Sequence, residues 1–152
     1  MAMILASQSP RRRELLGQMG FSFTVRPAKG EELPHPELTP AQLVEELARQ
    51  KALEDSAEAE ADDVVVGADT GVAIDGKVLG KPHDKVHAAQ MLSALSGREH
   101  TVYTGVAVKR GETLLVEHEA TQVRFRPLTE REIDLYIQTG EPMDKAGSYG
   151  IQ

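Results

Sequence analysis

At 152 residues the chain is the size of one domain, and 40% hydrophobic with 27% charged residues is the make-up of a protein that folds around a core, which excludes general disorder. A formal net charge of -7 opposes nonspecific binding to nucleic acid or anionic membrane, and Trp 0 with 4% aromatics leaves few platforms for base stacking. Cys 0 rules out disulfides and thiol catalysis, and no run approaches the roughly 20 apolar residues of a membrane span, so a cytoplasmic protein is expected.

Met3-Ile4-Leu5-Ala6 reads as a short buried strand, and Ser7-Gln8-Ser9-Pro10 as the loop leading into a helix. Ser9 can cap that helix with Pro10 at its first position, and Leu15, Leu16 and Met19 give it an apolar face that ends at Gly20. Arg11, Arg12 and Arg13 then fall in the first turn, the end where the helix dipole disfavours cations. An anion there reverses the cost, because backbone N–H groups, Ser7 or Ser9 and an arginine together make a phosphate cradle. Three solvated arginines are the plainer alternative.

Residues 21–25 alternate enough for a strand, and 27–38 form a loop rich in Pro, Gly and acid, in which Glu31-Glu32 are solvated by default. Thr39-Pro40-Ala41-Gln42 satisfies a capping box, and Leu43, Val44, Leu47 and Ala48 mark the buried face of the helix it starts. Lys51 lies one turn beyond Leu47, where a lysine either snorkels to solvent or serves as a ligand.

In residues 64–82, VVVGADTGVAIDGKVLGKP, three β-branched residues read as a buried strand that delivers Asp69 at its end. Carboxylates are rarely buried without a partner, so this position suits a metal or an activated water, with Gly67 and Gly71 allowing tight turns and close approach of a ligand. After a second short strand, Asp75-Gly76 makes a two-residue hairpin turn that brings Lys81 back toward the level of Asp69. That pairing fits either a phosphate-plus-metal site or a plain structural ion pair.

Asp84 can cap a helix burying Ala88, Met91, Leu92 and Leu95, stopped by Ser96-Gly97. His83 and His87 are four apart, but His83 precedes the cap and no acid stands between them in the HExxH manner, so no zinc site is expected. Residues 100–109 and 113–125 read as strands of a hairpin joined at Arg110-Gly111. Thr129-Glu130-Arg131-Glu132 is a second capping box, for a helix with Ile133, Tyr136 and Ile137 inward and Gly140 at its end. The glycine-rich stretch 141–152 predicts an irregular, ligand-contacting loop. There is no internal repeat, so one domain of mixed α/β type is expected.

Taken together, ILASQSPRRRELL, ARQKA, GADTGV, LGKPHD, MLSALSGREHTVYTGV and EPMDKAGSYGIQ resemble the Maf family of nucleoside triphosphate pyrophosphatases, in order along the chain. The resemblance is closest to the branch acting on dTTP and UTP. It implies an α/β fold with an elongated mixed sheet, flanking helices and a two-lobed cleft, akin to inosine triphosphate pyrophosphatases, in a homodimer. It implies Asp69 as proton acceptor, Ser7, Arg11, Arg12, Lys51 and Lys81 as phosphate ligands with Ser9 in the same loop, and Arg11, Thr70 and Gln152 as determinants of pyrimidine selectivity. A divalent cation, Mg²⁺ or Mn²⁺, is implied on Asp69 and Glu32, with Asp84 a further carboxylate for it or for water. Family members continue past the GIQ motif with a further strand and helix, and the sequence here ends at Gln152.

On this resemblance the reaction is cleavage between the α and β phosphates, by a water that Asp69 deprotonates while the cations offset charge on the leaving pyrophosphate. The lack of a GxxxxGK[ST] loop excludes a P-loop mechanism. A nucleotide-binding regulator of septum formation, which senses a triphosphate without cleaving it, is the alternative from another class. A non-catalytic α/β interaction domain is a third.

Overall fold

The computed structural model describes residues 2–7, 9–26, 37–57 and 59–150. In chain order these form β1 (Met3–Ala6), α1 (Pro10–Gln18), β2 (Thr24–Val25), α2 (Pro40–Ser56), β3 (Val64–Ile74), β4 (Lys77–Leu79), α3 (Lys85–Leu95), β5 (Glu99–Arg110), β6 (Thr113–Arg124) and α4 (Glu130–Gln138). The strands make one mixed sheet in the order β2-β1-β3-β5-β6, with β4 paired to β3. β1 runs parallel to both neighbours, Ile4 standing opposite Thr24 on one side and Val65 on the other. β4 returns antiparallel along β3, with Val72 opposite Leu79. The expected mixed α/β architecture is the one observed.

By its internal contacts the chain divides into two compact units, residues 1–69 with 104–119 and residues 70–103 with 120–152. The first has a core of Ile4, Ala48, Ala52, Val65 and Ala107. The second is larger, built from Val72, Ile74, Ala88, Leu92, Leu95, Val102, Ile133, Ile137 and Tyr149. Among the described residues no helix is long and apolar enough to cross a membrane.

Both capping boxes form as read: the hydroxyls of Thr39 and Thr129 accept the N–H groups of Gln42 and Glu132, whose side chains accept the cap N–H in return. Ser9 and Asp84 cap α1 and α3, and Ala88, Met91, Leu92 and Leu95 are all buried. Asp75 and Gly76 carry φ of 53° and 74°, the left-handed pair that a tight hairpin requires.

Several readings need correction. β3 is continuous for 11 residues, so Asp69 lies in mid-strand and not at a tip. The physical reason is that Gly67 makes no turn: a Cβ there would stand 2.4 Å from the Ala48 carbonyl oxygen and 2.7 Å from the Ala52 nitrogen, so the glycine lets α2 lie directly on the strand. Gly105 does the same in β5, where a Cβ would come within 2.2 Å of the Val44 oxygen. The apolar face read onto α1 is not buried, Leu15 being 58% exposed and Met19, at the C-cap, 68%, because the two leucines of a nine-residue helix led by arginines make too narrow a stripe. β2 covers only Thr24–Val25, and Phe21 is exposed. The β5–β6 turn is Gly111-Glu112. The stretch after α4 is regular only at Glu141–Asp144, a short 3₁₀ helix whose first turn Pro142 presets; 146–148 turns through positive φ at Gly147 and Ser148 and is irregular as expected.

Candidate active site

In the first unit three side chains meet at one backbone position. β3 carries Ala68 and Asp69, the middle of α2 carries Lys51, and the first turn of α1 carries Arg12. The Lys51 ammonium donates to Asp69 Oδ1 at 2.9 Å and to the Ala68 carbonyl at 3.4 Å. Arg12 Nη1 donates to the same carbonyl at 3.1 Å and to Ser7 Oγ, also at 3.1 Å. The Lys51 and Asp69 side chains are 21% and 14% exposed, so the pair is partly withdrawn from water while remaining reachable. An ion pair so placed is worth more than one on the surface, and each partner lowers the cost of shielding the other.

The local sequence explains the convergence. Ser7 is 4% exposed and its hydroxyl accepts the Ser9 N–H, which folds the loop back on itself. Ser9 then accepts the Arg12 N–H and starts the helix, and Arg12 reaches over the loop to β3. Arg11 is half-buried and Arg13 is exposed. On the other side, the close approach at Gly67 sets α2 on β3, and Lys51, beside the buried Ala52, projects to Asp69. Lys51 is thus neither a snorkelling lysine nor a distant one, and Asp69 has Lys51 as its ion-pair partner in this unit.

Thr70 and Lys81 belong to the second unit. Lys81 is exposed, two residues past Leu79, and its charge contributes to holding the Asp144 carboxyl below its ordinary value, after the larger effect of the hydrogen bond from Lys145. Asp84 is engaged in capping, its Oδ1 accepting the His87 N–H at 2.7 Å. His87 Nδ1 accepts the His83 N–H and the two rings stack, an arrangement that turns the pair to local structure. Glu32 and Gln152 lie outside the described residues. Among the described residues no three His, Asp or Glu side chains gather as a metal cage. Asp69 offers one carboxylate, which fits Mg²⁺ chemistry, where one or two protein carboxylates join substrate phosphates around the ion.

Two features carried no sequence signal. The Ala68 carbonyl is a backbone acceptor, and no residue type announces that two cations will share it. His100 and Tyr149, read as ordinary strand and tail residues, form a buried hydrogen-bonded pair at 2.5 Å. An open groove of about 520 Å³ in the second unit, between Leu92, Phe125, Ile133, Tyr136 and Tyr149, contains none of the catalytic or phosphate-binding candidates, but Glu141, Tyr149 and Gly150 of the stretch expected to contact a ligand line it.

Residues 2–152 match the family described as Maf-like protein. The dTTP/UTP pyrophosphatase of Symbiobacterium thermophilum is 54% identical over 151 residues, which are 99% of this chain and 77% of that protein. The dTTP/UTP pyrophosphatase of Bacillus pumilus is 54% identical over 150 residues, 99% of this chain and 79% of that one. Among solved structures, the Ham1 protein of Staphylococcus aureus aligns with a TM-score of 0.50 at 11% identity, over 82% of this chain and 71% of that one, a likeness of fold alone. With motif, fold and near-complete alignment in agreement, this chain belongs to the Maf family.

Proposed function

We infer that this chain is a nucleoside triphosphate pyrophosphatase that hydrolyses dTTP and UTP to the nucleoside monophosphate and pyrophosphate. The observation that carries the reading is the partly buried Asp69 carboxylate held by Lys51, with Arg12 fixed to the adjoining carbonyl. It is supported by likeness along nearly the whole chain to proteins named for that activity.

Asp69, oriented by Lys51, takes the proton from the attacking water. Arg11, Arg12, Lys51 and Lys81, with Ser7 and Ser9, bind the phosphates and offset the charge that builds on the leaving pyrophosphate. A Mg²⁺ or Mn²⁺ ion on Asp69 and Glu32, when bound, supplies the positive charge that polarises the phosphate. Arg11, Thr70 and Gln152 select the pyrimidine, Gln152 through an amide that offers both a donor and an acceptor. The protein works in the cytoplasm as a homodimer.

The test is a panel of canonical and modified triphosphates with Mg²⁺, resolving pyrophosphate from orthophosphate. Pyrophosphate as first product, with dTTP and UTP ahead of purine triphosphates, is expected. Orthophosphate as first product rejects the assignment. Tight binding without turnover moves the protein to the septum-formation regulator reading.

A further inference from the structure

We propose that the buried His100–Tyr149 hydrogen bond locks a strap, residues 145–149, that positions Lys81, which makes His100 and Tyr149 positioning residues for phosphate binding. The proposal rests on the reading of Lys81 as a phosphate ligand, and every residue in it belongs to the second unit.

The strap is held at each step. Lys145 donates to the Glu141 carbonyl at 2.8 Å and pairs with Asp144 at 3.1 Å. Gly147 has φ of 70° and packs so closely on β3 that a Cβ would lie 2.7 Å from Val72 Cγ2. Its N–H donates to the Gly80 carbonyl at 3.1 Å, one residue before Lys81. Ser148, wholly buried, also has positive φ, 66°, which is costly for a residue with a side chain, and its hydroxyl bonds the Met91 sulfur. Tyr149 then meets His100 Nε2 at 2.5 Å, with Phe125 edge-on to both rings, and the Gly150 N–H donates to the Tyr136 hydroxyl at 2.9 Å.

Two costs in this small region need a counterpart. Ser148 is strained, and His100 Nδ1 is buried with no hydrogen-bond partner among the described residues. Strain and orphaned polar atoms persist where the surroundings over-determine them. What the arrangement fixes is the backbone at Gly80, and with it the root of the adjoining Lys81. Burial keeps His100 neutral, and the Tyr149 hydroxyl, pushed up to about 12, keeps its proton, so the lock holds across neutral pH.

Pyrophosphate binding in Mg²⁺ buffer, measured by calorimetry on the whole chain, tests this. Four proteins are compared: the parent, Tyr149→Phe, Lys81→Ala and the double variant. Tyr149→Phe is expected to weaken binding by about fivefold, the scale of one hydrogen bond. Lys81→Ala is expected to weaken it more, and the double variant to bind no worse than Lys81→Ala, because a positioning residue has nothing left to position. A merely structural tyrosine would cost the same factor in both backgrounds, and that result, or unchanged binding in Tyr149→Phe, overturns the proposal. Unchanged binding in Lys81→Ala instead removes Lys81 from the phosphate site, a failure of the underlying reading that takes the proposal with it. If Tyr149→Phe does not fold, His100→Phe/Tyr149→Phe, which leaves no orphaned partner at this bond, replaces it under the same expectations.

Discussion

A carboxylate in the middle of an eleven-residue strand needs a counterion, and Lys51 supplies it at 2.9 Å. Asp69→Asn keeps the shape and a hydrogen-bond acceptor for Lys51 but removes the base. Turnover of dTTP is expected to fall roughly a hundredfold to ten-thousandfold, while nucleotide affinity falls far less because the cations remain. Turnover at the parent rate in the folded variant would end the assignment of Asp69 as base. His100 gives a separate prediction, on stability. Burial holds its folded pKa below the unfolded value of about 6.5, so the folded state binds fewer protons, and stability is full above that pH and lost as pH falls through it. The melting temperature should decline from pH 7 to pH 5, and less steeply in His100→Phe/Tyr149→Phe. The lowered carboxyls of Asp63, Asp75 and Asp144, and Glu132 at about 2, titrate below the ordinary carboxylate range and so outside that window, and the comparison of the two proteins isolates the share that His100 contributes. Equal slopes in the two proteins would show that His100 is not the group titrating.

Elements announced by local chemistry were legible in the sequence. Thr39 and Thr129 specify helix starts through contacts three residues long, and Asp75-Gly76 specifies a turn through its own backbone. What the sequence hides is which long-range neighbour a residue answers to. Gly67 looks the same whether it makes a turn or admits a helix, and the difference lies in Ala48 and Ala52, which touch it across the fold. The apolar positions of α1 likewise fit burial by spacing, and nothing local shows that no core lies beneath them. Gly67→Ala is therefore predicted to push α2 off β3, destabilising the protein by about 1–3 kcal/mol. The same shift should separate Lys51 from Asp69 and lower turnover at temperatures where the variant is folded. Chemical denaturation alongside steady-state kinetics checks both, and a variant as stable and active as the parent would show that the helix approach is not tight.

At the scale of the molecule, the grouping of candidates was legible where motif residues lie in one unit: Ser7, Arg12, Lys51 and Asp69, each named from the sequence, are joined by hydrogen bonds through one another and the Ala68 carbonyl. The carbonyl that joins them was not legible, since a peptide group has no letter. The proposed metal dependence belongs here too, because a bound ion would answer to the substrate's whole charge. Removal of divalent cations with EDTA is expected to abolish turnover, and Mg²⁺ or Mn²⁺ to restore it. Full activity in chelator would remove the metal from the reaction.

The two units meet the chain at Asp69/Thr70, Tyr103/Thr104 and Glu119/Ala120, each inside a strand: β3, β5 and β6. No continuous stretch of the gene encodes one unit without a piece of the other. A fragment through residue 119 carries 70–103 along with the first unit, and one starting at residue 70 carries 104–119 along with the second. Truncation therefore cannot isolate either half for study, and the protein is to be dissected by point substitution in the intact chain.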